Sequence, residues 1–243
     1  MKPLTRGIYT ARLALGPPDL AASLALRQLC FRTGRGLGGA ASDNDRFDTA
    51  CQHIMVTSAE VMVAGFRVQV FDKGQSLSGS YAAQFYDLTR FQAQPGPLVE
   101  MGRFCLHPAH ADPDILRLAW AALTRLVDAA QAMMLFGCTS FDGADPARHL
   151  PAFGYLVHHH LGPVTLRPDR TAAASIDLTA LPDPGPVPPL PALLRTYLAM
   201  GGWVSDHAVL DHDLDTVHVF TALDLAAIPP ARARALRALA QTG

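Results

Sequence analysis

The chain has 243 residues, 49% of them hydrophobic and 17% charged, which is long and apolar enough to bury a core and unlike a disordered chain. A formal net charge of −1 and an isoelectric point near 6.8 argue against a nucleic-acid binder, which carries a basic excess or stripe. The cysteines are scattered with no C-x-x-C pair, the N-terminus lacks a signal-peptide apolar segment, and no apolar run reaches bilayer length, so a cytoplasmic protein with reduced thiols is expected, with at most peripheral contact at the inner membrane.

Ile8 to Leu15 alternates as a first strand. Pro17-Pro18-Asp19 then offers punctuation and an N-cap for a helix running through Leu20 and Leu24 to Phe31. Arg27 and Phe31 are spaced i, i+4 and share a face of it, and Gly34, Gly36, Gly38 and Gly39 close it in a glycine-rich loop. Taken alone, this pair reads as an exposed arginine beside a core phenylalanine. Ser42 to Asp48 is a polar turn whose Asp45 and Asp48 can cap, bind a cation or hold an arginine. Gln52 to Thr57 and Val61 to Phe71 read as an antiparallel hairpin. Arg67, the only charge in its second run, either faces solvent or answers those carboxylates.

Tyr81 to Phe91 is aromatic-rich and of ambiguous secondary structure. The stretch from Leu98 to Pro108 is a strand holding an acid, a glycine and an arginine in an apolar run. Asp112 is a natural N-cap and Pro113 a natural first residue for the helix that follows, with Ile115, Leu118, Ala119, Ala122, Leu123, Leu126, Val127 and Ala130 at helical spacing. Met134 to Cys138 is a short strand, so strand, helix and strand form a parallel crossover unit. Thr139 to Pro146 reads as a polar loop containing Ser140. His158-His159-His160 cannot converge on one ion from a regular element, and no metal site is expected. Proline-dense Pro182 to Pro191 separates a core domain, residues 1–180, from a C-terminal extension, residues 181–243. The extension reads as a helix from Leu190 to Met200, a Gly201-Gly202 stop, a strand from Val217 to Ala222, and a basic helix after Pro229-Pro230. Asp206, His207, Asp211, His212, Asp213, Asp215 and His218 crowd one stretch, either an acidic wall for a cationic or amine substrate or a solvated turn.

Charges in the Leu98 to Pro108 strand would stand inside the core of an α/β unit, where they need a reason. A carboxylate such as Glu100 can serve there as a general base, directly or through water. Glu100 and Arg103 face opposite sides of an ideal strand, and Gly102 is a residue that permits a bulge between them. A plain Glu/Arg ion pair is the structural alternative. Cys105 reads as a packed core thiol.

Arg27-x-x-x-Phe31, Asp45-x-x-Asp48, Arg67 in a strand after a turn, and Glu100-x-Gly102-Arg103 resemble the spaced motifs shared by acyl-homoserine-lactone synthases and ornithine-acyl-ACP N-acyltransferases. Leu135 to Asp145, Tyr197 to Gly202, and Asp211-His212-Asp213 through Val219-Phe220 resemble the second group specifically. The resemblance implies an α/β fold with a mixed sheet, a GNAT-like acyltransferase carrying a family-specific C-terminal extension. It further implies transfer of a 3-hydroxyacyl chain from acyl carrier protein to the α-amine of ornithine, the first step of ornithine lipid biosynthesis, with no cofactor beyond the phosphopantetheine thioester. Glu100 and Arg103 would be catalytic, with Arg27, Phe31, Asp45, Asp48, Arg67, Gly102, Phe104, Ser140, Asp211 and Asp213 binding substrate. CoA-dependent relatives carry a Gly-rich pyrophosphate loop after this strand, whereas His107 to Asp112 has neither glycine nor arginine. That departure fits a carrier-protein donor, for which Arg32, Arg35, Arg117 and Arg125 are candidate contacts. His218, where such enzymes typically carry an aspartate, weakens the case for a cationic acceptor and leaves glutamine as an alternative. A homoserine-lactone synthase and a non-catalytic carrier-protein-binding module are the remaining alternatives.

Overall fold

A computed structural model describes residues 1–37 and 42–241; Gly38 and Gly39 of the glycine-rich loop lie outside the described residues. In chain order the elements begin with β1 (Leu4–Arg6), β2 (Tyr9–Leu13), α1 (Gly16–Phe31), β3 (Gln52–Ser58) and β4 (Val61–Phe71). They continue with β5 (Tyr86–Asp87), α2 (Thr89–Gln92), β6 (Leu98–Leu106), α3 (Pro113–Ala129), β7 (Met134–Asp142) and α4 (Leu150–His159). The last are β8 (Asp169–Arg170), β9 (Ser175–Asp177), α5 (Ala192–Ala199), β10 (Trp203–Asp211), β11 (Thr216–Asp224) and α6 (Pro230–Gln241). Two compact units divide this chain, and the boundary runs through β6 between Glu100 and Met101. The proline-dense segment lies within the second unit, not at a boundary.

The first unit comprises Met1–Val70, Met101–Ala132 and Pro230–Gly243. Its strands β1 to β4 pair antiparallel in chain order, and His107 N–H donates to Val63 O at 2.8 Å, tying the end of β6 to β4. Asp19 sits inside the first turn of α1 rather than before it. Its carboxylate accepts from Leu15 N–H at 2.6 Å and pairs with Arg12. Asp112 caps α3 by accepting from Asp114 N–H at 2.9 Å, Pro113 opens the helix, and Tyr9 Oη donates to the other Asp112 oxygen at 3.0 Å. Leu26, Met55, Met62 and Cys105 form a buried cluster between α1 and the sheet.

The second unit comprises Phe71–Glu100 and Met133–Pro229. β6 and β7 run parallel, with Leu98, Val99 and Glu100 opposite Met134, Leu135 and Phe136. β7 continues through Asp142, past the predicted loop start, because β11 pairs with its whole length. β10 forms a hairpin with β11, with a bulge between Val204 and Ala208. One core, around Phe91, Phe136, Trp203 and Phe220, is covered by the short turns and strands from Phe71 to Gln92; the other lies under α4 and α5. Gly201 at φ +93 ends α5, and Gly202 N–H donates to Tyr197 O at 2.9 Å.

Candidate functional site

In the first unit, sequence-distant charges converge. Arg27 of α1 donates from Nε to Asp43 Oδ2 at 2.6 Å, from Nη1 to Asp48 Oδ1 at 2.5 Å and from Nη2 to the Asp43 carbonyl at 2.5 Å. Arg67 of β4 reaches Asp45 at 2.6 and 2.8 Å and Asp48 Oδ1 at 2.5 Å. Arg103 of β6 contacts Asp43 and Asp45 at 3.2 Å each. The polar turn before β3 therefore supplies three carboxylates to three guanidinium groups, and the network neutralises itself. Such burial is tolerable only because every member is paired. Arg27 is 2% exposed; it is not the exposed helix residue its spacing suggests. Burial alone would raise the Asp48 carboxyl, but Arg27, the Asp45 amide and Arg67 more than offset it and hold it at about 2. Burial keeps the neighbouring His53 below its usual value.

Asp45 and Arg103, whose side chains are 22% and 12% exposed, are the most accessible members of the network. Phe31 lies 6.0 Å from the Arg103 guanidinium, and Phe104 stacks on Phe66 at 5.7 Å. The strand irregularity falls one residue later than expected. Arg103, not Gly102, is left-handed at φ +54, and a Cβ on Gly102 would make only an ordinary 3.7 Å contact with Arg67. Asp43 was not marked by sequence reasoning, although it sits in the same polar turn.

In the second unit Glu100 is 5% exposed. Its Oε2 accepts from Tyr81 N–H at 2.8 Å and its Oε1 from Ala82 N–H at 2.7 Å. Two backbone donors at the start of a short turn thus hold the carboxylate in one orientation. Nothing in the residue types of the Tyr81 segment announces this, because the donors are main chain. Beyond it Phe85 packs on Tyr81 at 5.5 Å and on His218 at 4.8 Å.

Paired residues on neighbouring strands share a face, so Cys138 and Ser140 of β7 lie beside Phe220 and His218 of β11. Ser140 is exposed and stands four residues along from the level of Glu100, about 13 Å. The acid- and histidine-rich stretch is divided by the fold. Ser205, Asp206 and His207 occupy the β10 bulge, while Asp211 accepts from Asp213 and Leu214 N–H at 3.0 and 3.1 Å to build the hairpin turn. Asp213 is exposed in that turn.

Among the described residues no group of three or more histidine, cysteine or acidic side chains could hold a metal ion. His158 and His159 turn to separate partners, the Leu181 carbonyl and Asp183. Of the arginines considered for carrier-protein contact, Arg32 is buried, Arg117 pairs with Asp114 at 2.7 Å, and Arg125 binds the carbonyls of Ala240 and Lys2. No described helix is long and apolar enough to cross a membrane.

A family profile for the acetyltransferase (GNAT) domain matches residues 26–121. The L-ornithine N(alpha)-acyltransferase of Rhodobacter capsulatus is 31% identical over 236 residues, covering 90% of this chain and 91% of that protein. Proteins of the same name from Brucella abortus and Rhizobium meliloti are 28% and 27% identical, over 75% and 89% of this chain and 70% and 80% of theirs.

Proposed function

Because the chain belongs to the L-ornithine N(alpha)-acyltransferase family, we propose that it transfers a 3-hydroxyacyl chain from acyl carrier protein to the α-amine of L-ornithine. The observation that carries this reading is the likeness to the Rhodobacter capsulatus enzyme over nine-tenths of both chains. Glu100 supports it from the chemistry side. Its carboxylate is buried and held in one orientation by the amides of Tyr81 and Ala82.

In this scheme the ammonium group of ornithine loses a proton to Glu100, directly or through water. The neutral nitrogen attacks the thioester carbonyl, the N–C bond forms, the C–S bond breaks, and the pantetheine thiolate leaves and takes up the second proton, which the nitrogen sheds as it becomes an amide. The left-handed backbone at Arg103 interrupts the regular strand. Asp45 and Arg103 form the accessible edge of a self-neutralised network; their role is to hold that backbone in place. Peripheral association with the inner membrane would bring the product to its destination. Incubation of purified protein with 3-hydroxyacyl carrier protein and ornithine, read by product mass, tests the reading. The Nα-3-hydroxyacyl-ornithine mass supports it, and no product with ornithine refutes it.

A further inference from the structure

Two imidazoles of the second unit carry a buried ring nitrogen with no hydrogen-bond partner among the described residues, Nε2 of His207 and Nε2 of His218. For His218 the geometry fixes where the ring proton lies. Tyr86 Oη stands 3.0 Å from the His218 carbonyl oxygen and 3.1 Å from its Nδ1. A carbonyl only accepts, so the single phenolic proton goes to it, and Nδ1 must donate to the phenol oxygen. Nε2 is then a bare lone pair inside the protein, where an unmade hydrogen bond is costly.

The surroundings define the missing partner. Phe85 packs edge-on against the imidazole at 4.8 Å, and Phe220 lies two residues along β11, opposite Cys138. Phe85 and Cys138 are half-buried, and Ser140, paired opposite His218, is exposed. His207, in the β10 bulge, is fully buried, with its ring 5.1 Å from that of Tyr86 and its Nδ1 2.8 Å from Asp206 Oδ1. Burial, with His207 nearby, pushes the His218 imidazole down to about 3, so the region disfavours positive charge. The ring is therefore neutral, and Nε2 can only accept a hydrogen bond.

We propose that His218 is a specificity-determining residue whose Nε2 accepts a hydrogen bond from the hydroxyl of a hydroxylated acyl chain lying against Phe85 and Cys138. This rests on the N-acyltransfer reading above and assigns one residue to the hydroxyl of its donor. A site built to bond a hydroxyl rejects the analogue lacking it, because the protein's acceptor is then left unpaired.

The test compares carrier-protein donors of equal chain length with and without the 3-hydroxyl, using the full chain and ornithine, and reads the ratio of their kcat/KM values. The intact protein is expected to favour the hydroxylated donor by about tenfold or more. His218→Leu should bring the ratio near one, and His218→Gln, which offers an amide oxygen at similar reach, should recover part of it. Tyr86→Phe releases the ring proton to Nε2 and should lower the ratio part-way. An unchanged ratio in His218→Leu overturns the proposal, since water then satisfies Nε2. An equal loss with both donors, the mark of a merely structural residue, also overturns it. So does a shift in ornithine-over-glutamine preference at constant donor ratio, which would give Nε2 to the amine substrate. If His218→Leu does not fold, His218→Gln and Tyr86→Phe carry the same comparison. Failure of the intact protein to use either donor sinks the transfer reading itself, a result distinct from an altered ratio.

Discussion

Arg27 and Arg67 donate to one and the same atom, Oδ1 of Asp48, each at 2.5 Å. The first comes from α1 and the second from β4, so a single carboxylate joins helix, turn and sheet in the first unit. Asp48→Asn would leave both guanidinium groups short of a buried negative charge. Breaking a buried pair in this way costs about 3–5 kcal/mol. Urea unfolding should show a loss of that size, whereas Asp45→Asn, at the exposed edge of the network, should lose markedly less. Equal losses would contradict the assignment of centre and edge.

The same carboxylate sets an acid limit. Its folded-state value of about 2 lies below the ordinary aspartate value of 3.8, so its contribution is fully present above about pH 4 and is lost as pH falls toward 2. The Asp45 carboxyl is lowered as well. The urea midpoint of the native chain should drop over that interval, and Asp48→Asn should flatten the drop. Parallel curves for the two proteins would remove Asp48 from the account.

Much of this framework is legible in the sequence because local chemistry and tertiary structure agree. The β3–β4 hairpin follows from two β-branched runs, and α3 from its apolar period and the Asp112 cap. Arg67 answering Asp45 and Asp48 is one of the two readings open to a lone strand arginine, whereas the burial of Arg27 is not legible in its i, i+4 spacing with Phe31. β10 is hidden because its bulge inserts Ser205, Asp206 and His207 into what would otherwise alternate, and those residues read as a polar turn. Glu100's partners are hidden for a different reason, since main-chain donors carry no side-chain signal. The bulge itself was expected from Gly102, the residue that tolerates it best, yet the left-handed conformation falls on Arg103, held by Asp43 and Asp45.

Arg103 therefore bears two opposing effects that substitutions can separate. A non-glycine residue in the left-handed region is strained by about 1–2 kcal/mol, while its side chain is held by two carboxylates. Arg103→Gly and Arg103→Ala both lose the ion contacts, but only glycine relieves the backbone. Thermal unfolding should find Arg103→Gly the more stable of the two by about 1 kcal/mol. The reverse order would mean that the φ of +54 is not retained in solution.

Glu100→Gln keeps the shape of the side chain but turns one acceptor oxygen into an NH2 group that faces a backbone N–H. A modest loss of stability is expected, together with a fall in kcat of about 10²–10⁴-fold if the carboxylate takes the amine proton. Steady-state kinetics on folded variant protein decide the matter. A stability loss with unchanged kcat would reduce Glu100 to an anchor for the Tyr81–Ala82 turn.

The central claim is the identity of the acceptor, and a competition measures it most directly. Purified protein is given one 3-hydroxyacyl carrier-protein donor and an equimolar mixture of ornithine, glutamine, lysine and S-adenosylmethionine, and the acylated products are resolved by mass and fragmentation. The account predicts that Nα-acyl-ornithine dominates. Acyl-glutamine or acyl-homoserine lactone as the main product, with ornithine left unacylated, would contradict it.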